Sequence, residues 1–111
     1  MWRSFGDGCS IGKRGSENGF ILRDEEHDNG VRITLEHDCK SAPFAITCGL
    51  YGWMVHTRFF NSLAEAERAH DEMKPALERI TKAIPVHNDI DFEAKVRVAV
   101  RMMNEFIEQF P

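Results

Sequence analysis

From Ser62 to Ile84 the residues Leu63, Ala66, His70, Met73, Leu77, Ile80 and Ile84 recur at alternating three- and four-residue steps. On a helix that spacing draws one nearly apolar stripe down a single side. A stripe so long must lie against other structure, so the flanking segments have to supply a sheet and a second helix. Ser62 and Glu65 open the segment as a capping box, the hydroxyl taking the third amide and the carboxylate reaching back. Pro75 removes the hydrogen bond to the Asp71 carbonyl, a cost of ~3 kcal/mol in a straight interior. It lies opposite the stripe, where the freed carbonyl meets water, which predicts a bend that keeps the stripe continuous. At 1.5 Å per residue the helix is roughly 33 Å long, against about 26 Å for an eight-residue strand. Bending keeps it on the sheet.

Upstream, Gly19–Asp28 and Val31–Cys39 read as strands joined at Asn29-Gly30, a strong short hairpin signal. A two-residue loop sets Asp28 opposite Val31, Arg23 opposite Glu36 and Leu22 opposite His37. Ser41-Ala42-Pro43 breaks the chain, and Phe44–Leu50 and Trp53–Phe60 follow as two more strands divided at Tyr51-Gly52. With Cys39 facing Phe44 and Leu50 facing Trp53, one face gathers Phe20, Leu22, Val31, Ile33, Leu35, Ile46, Cys48, Val55 and Phe59. The other gathers the charged residues, and a one-residue slip would mix the two sets. Pro85 stops the first helix. Asn88 or Asp89 can cap a second that runs to Phe110, with Phe92, Val96, Ala99, Met103, Phe106 and Phe110 as its seam. The competing reading is a strand through Lys95–Arg101, where Val96, Val98 and Val100 alternate with charge. The expected fold is α+β: a four-stranded antiparallel meander followed by two helices on one face (ββββαα), with a Gly-rich N-terminal arm. Its single domain divides into the arm (1–18), the sheet (19–60), a Pro-bent helix (62–84) and a second helix (89–110).

In the arm, Gly12-Lys13 suggests a phosphate-binding loop. That motif needs Gly where Asp7 stands and Ser or Thr where Arg14 stands, so the pattern fails. Trp2 and Phe5 are the residues able to anchor the arm. The chain's 111 residues, 42% apolar and 29% charged, suit one ordinary globular domain. A formal charge of −4 argues against a dedicated nucleic-acid binder. No apolar run is long enough to cross a bilayer, and Met1–Ser16 lacks the apolar centre of a signal peptide. Three cysteines without CxxC predict free thiols in a reducing compartment, the cytoplasm. No HExxH, HxxxH or CxxC occurs, so neither a metal nor another cofactor is expected.

The expected register puts Arg23, Glu36, Thr47 and His56 in one row across the polar face, with Asp38, Ala45 and Arg58 in the next. In that row His56 could act as general base, Glu36 could orient it, and Arg23 and Arg58 could hold an anion. The plainer reading is a solvated face of cross-strand charge pairs. Ile21, Met54 and Phe60 interrupt this face, and either the arm or a second copy of the chain could cover them. His37 falls on the buried side near Cys39 and Thr57, either lining a pocket for a small molecule or resting as a hydrogen-bonded core histidine. His70 either reaches Asp24 or Glu26 or lies partly exposed at the stripe's margin. The leading functional expectation is a non-catalytic binding or assembly module, a homodimer built through the exposed sheet face. Its rival is an enzyme acting on a small anionic substrate with His56 as base.

Overall fold

Val31, Ile33 and Leu35 alternate with Arg32, Thr34 and Glu36, and in the computed structural model, which describes residues 1–28 and 30–111, this alternation forms the centre of an antiparallel sheet. The strands are β1 (Trp2–Ser4), β2 (Phe20–His27), β3 (Val31–His37), β4 (Phe44–Leu50) and β5 (Met54–Phe60), arranged in chain order. Helices α1 (Leu63–Ala83) and α2 (Phe92–Gln109) follow. The α+β meander with two helices therefore stands, but the sheet has five strands rather than four. The added strand comes from the segment expected to be an arm: Trp2 pairs with His27, Arg3 with Glu26 and Ser4 with Glu25. Three residues without a repeating pattern carry no periodic signal, and only the partner strand makes them a strand.

The two inner strands meet expectation in which face they bury. Val31, Ile33, Leu35, Ile46, Cys48 and Leu50 form the core with Met73, Leu77 and Ile80 of α1. Their mutual register is two residues from the expected one, with His37 opposite Phe44 and Thr34 opposite Thr47. An even shift leaves every side chain on its own face. The outer hairpins shift by one, and that does change faces. His27 pairs with Val31, so three residues rather than two connect β2 to β3. The expected turn residue Asn29 lies outside the described residues. Met54, not Trp53, pairs with Leu50. Consequently Arg23, Glu25 and His27 turn toward the helices with Leu35, Ile33 and Val31, and so do His56 and Arg58 with Cys48 and Ile46. An irregularity between Ile21 and Arg23 then restores the other parity, placing Ile21 opposite Glu36 and leaving Leu22 over a third exposed.

The helices follow the stripe. The Glu65 amide donates to Ser62 Oγ at 3.1 Å, and α1 continues unbroken through Pro75, which is exposed on the outer side. Ala66, His70, Met73, Leu77 and Ile80 are buried beneath the sheet. Residues 95–101 are helical, so the strand reading of that segment is corrected: the apolar positions from Ala99 to Phe110 favour one long helix. Asp91, in the left-handed region at φ 59°, precedes α2 without a side-chain cap bond. Asp89 instead closes the connecting loop, its Oδ2 accepting from the Val86 amide at 2.9 Å. α2 packs on α1, and its C-terminal end reaches the sheet, where the Phe106 ring meets His56 edge-on at 6.3 Å.

Candidate functional site

The sheet face turned away from the helices can be laid out from the pairing. One row runs Glu26, Arg32, Gly49, Val55; the next Asp24, Thr34, Thr47, Thr57; the third Ile21, Glu36, Ala45, Phe59. The N-terminal segment covers the β2–β3 half. The Gly12 amide donates to the Ile21 carbonyl at 2.8 Å, the Ile21 amide to Lys13 at 2.9 Å, and the Gly15 amide to Gly19 at 2.9 Å. The turn that follows closes over Glu36, whose Oε1 accepts from the Glu17 and Gly19 amides at 3.2 and 3.1 Å. A carboxylate at 0% exposure is tolerable only because those amides replace its water. Asp24, also buried, accepts from Arg32 Nε and Nη2 at 2.9 and 2.6 Å and from Thr34 Oγ1 at 3.0 Å. The Arg32 guanidinium lies 3.6 Å over the Phe5 ring, so Phe5 anchors the segment as its sequence position suggested.

The β4–β5 half is uncovered. Val55 is 76% exposed and Phe59 49%, and the adjoining turn exposes Tyr51 and Trp53. Gly49, between Arg32 and Val55 in its row, has no side chain, and an added Cβ would meet only the Met54 carbonyl, at 3.7 Å. The result is a trough of about 380 Å³ running past Ser16, Thr34 and Thr47. It opens into an apolar hollow of about 510 Å³ bounded by Tyr51, Trp53 and Val55. Hydroxyls cross its floor: Ser16 Oγ stands 3.4 Å from Thr47 Oγ1, which stands 3.3 Å from Thr57 Oγ1. Neither Val55 nor Phe59 was expected here, and the sequence signal for the hollow is the glycine itself, since a strand glycine marks a missing wall.

The residues singled out as a catalytic row are not brought together. Glu36 faces outward under the N-terminal turn, whereas Arg23, His56 and Arg58 lie on the helix side. His56 Nε2 is 2.5 Å from the Phe110 carbonyl. Arg58 donates to the Pro111 carbonyl at 3.3 Å and stacks over the Phe60 and Phe110 rings at 4.9 and 5.2 Å. Burial lowers its pKa. His37 stands half-buried at the end of β3, 3.1 Å from Asp38 Oδ2 and 5.8 Å from the Phe20 ring. Thr57 points to the opposite face, so no pocket joins the two. The physical reason is the same in each case: one extra residue in a hairpin connection inverts the strand beyond it.

The inversion assembles a different polar cluster between β2 and α1. Arg23 donates to Asp71 at 3.1 Å and to Glu25 at 3.2 Å, and Lys74 donates to Glu25 at 2.7 Å. Burial opposes the Glu25 charge, but the Lys74 hydrogen bond and the nearby cations outweigh it and hold its pKa below the usual range. Trp2 Nε1 donates to Glu78 beside them. His70 lies inside this cluster rather than at the margin, wholly buried, with Nε2 3.5 Å from Glu25 Oε2. Burial, aided by the Arg23 charge, pushes its pKa down to about 4. The cluster ties two layers together.

Cys39 and Cys48 are not activated thiols. Burial pushes the Cys48 thiol up to about 12 and the Cys39 thiol to about 11, whereas a nucleophilic cysteine needs a lowered pKa. Among the described residues no group of three or more His, Cys, Asp or Glu side chains converges on a point where a metal could sit. No helix among the described residues is long and apolar enough to cross a membrane. No family model matches the chain, and neither a curated protein nor a solved structure resembles it.

Proposed function

We propose that this protein is a non-catalytic binding module that assembles with a second copy of itself through the uncovered β4–β5 half of the sheet. The observation that carries this reading is the exposure of Val55 and Phe59 beside Tyr51 and Trp53, while the other half of the same face is sealed. Scattered apolar side chains on a surface need no explanation, but a contiguous group on one strand and its turn does. Burying a fully exposed Val or Phe is worth about 1.5–3 kcal/mol, and Val55 at 76% and Phe59 at 49% exposure have only part of that left to gain. Association itself costs ~4–15 kcal/mol. Tyr51 and Trp53 beside them must therefore share the burial in any dimer stable at micromolar concentration.

The rival enzyme reading has less to stand on, because Glu36, which it needs to orient the base, lies on the opposite face from His56, and His56 and Arg58 are turned onto the carbonyls of Phe110 and Pro111. Analytical ultracentrifugation at tens of micromolar tests the proposal. The expected result is a dimer that Val55→Lys dissociates without altering the far-ultraviolet circular dichroism. A wild-type chain that sediments as a clean monomer overturns it.

A further inference from the structure

The sheet has two free edges, and they differ in kind. The β1 edge is three residues long and guarded by charge: Arg3 pairs with Glu26 and Asp28. Short, charged edges resist the addition of another strand. The β5 edge is seven residues long, contains no proline or lysine, and pairs with β4 without a register shift. Its one formal charge, Arg58, is turned onto the Pro111 carbonyl on the helix side.

β5 also reads nearly the same in both directions about Thr57. Val55 and Phe59 flank it on the outer face, and Met54 and Phe60 sit at equal distances beyond. An isologous contact requires this property, since each residue must suit its own symmetry mate. Antiparallel pairing of two such strands with Thr57 on the two-fold axis sets Val55 opposite Phe59 of the second copy. It sets Met54 opposite Phe60.

The helix layer offers a matching feature. The groove between α1 and α2 on the solvent side is lined by Ile80, Met102 and Phe106 together with Arg79, Glu105 and Gln109. Passing round α2 from Met102 through the buried Phe106, Ala99 and Met103 leads to Ile107 and Val100, which are exposed. Phe106 and Phe110 touch His56 and Arg58 of β5, so the exposed flank continues outward from beneath that strand. A two-fold axis normal to the sheet at Thr57 keeps both helix layers on one side, so this flank of α2 lies toward its mate.

We infer that two copies join β5 to β5 in antiparallel register centred on Thr57, making a ten-stranded sheet with both helix layers on one side and the exposed flanks of the two α2 helices turned toward each other. This rests on the assembly reading above and commits it to edge pairing rather than stacking of outer faces. Two double variants test it by sedimentation, with circular dichroism melts to confirm folding. Val55→Lys with Phe59→Lys places like charges opposite each other twice and is expected to weaken the dimer about tenfold or more. Val55→Glu with Phe59→Lys places opposite charges in the same two positions and is expected to restore the dimer to within a few fold of the wild type. If both variants dissociate equally, or neither does, the pairing is wrong while assembly stands. If the wild-type chain is itself monomeric, both readings fall together.

Discussion

His70 is held between β2 and α1 at 0% exposure, with neither ring nitrogen hydrogen-bonded within the described residues. Its pKa of about 4 in the folded chain lies below the ~6.5 of an unfolded histidine, so the fold favours the neutral ring. The associated stability is complete above pH ~6.5 and is lost as the pH falls toward 4, by up to about 3 kcal/mol. Glu25, with its lowered pKa, adds to the loss in the same direction on further acidification. Urea melts between pH 7 and 4 should therefore show a falling midpoint, and His70→Leu should flatten the upper part of that fall. A second residue-scale case is Gly19. A Cβ there would stand 2.5 Å from the His37 carbonyl and 2.7 Å from Cys39 Sγ, and backbone cannot yield cheaply. Gly19→Ala should cost about 1–3 kcal/mol. Glu36→Gln, which keeps the shape but weakens the bonds from Glu17 and Gly19, should cost about 1–3 kcal/mol. Faster hydrogen exchange at those two amides would report the change locally.

Among the elements, α1 offers the plainest test, because Pro75 lies in its interior with its ring exposed. Pro75→Ala restores the bond to the Asp71 carbonyl and should raise stability by about 1–3 kcal/mol, read as an increased melting temperature. Elements with strong periodicity were legible from sequence: α1 with its Ser62 cap, the α2 seam from Ala99 to Phe110 though not its exposed start at Phe92, and the inward side chains of β3 and β4. What was not legible was the parity of the two outer strands. Arg23, Glu25 and His27 look like an exposed set only until the opposing surface of α1 is known to carry Lys74 and Asp71 as partners. In β5 the two faces are almost equally apolar, Met54 and Phe60 on one and Val55 and Phe59 on the other. Periodicity cannot choose between them. The Phe110 carbonyl against His56 and the Phe110 ring under Arg58 can, and both belong to a part of the chain about fifty residues away.

At the scale of the molecule, a correct core is compatible with a misplaced surface. Leu35, Ile46 and Cys48 were buried as expected, yet the row of Arg23, Glu36 and His56 dissolved because a site needs every strand in phase and a core needs only most of them. The sealing of Glu36 by the N-terminal turn is made by backbone amides, and its trace in the sequence is the glycines Gly15 and Gly19, where a Cβ would crowd the Glu36 carboxyl or the His37 carbonyl. The hairpin connections carry a wider consequence. Each joins paired residues through an odd number of positions, Asp28 to Gly30 and Tyr51 to Trp53. Removing or inserting a single amino acid would exchange the interior of a strand for its exterior, turning Arg23 outward in the first case and, in the second, sending His56 to the surface and Val55 beneath the helices. Related chains that keep this architecture would therefore vary the length of these two loops by twos and not by ones.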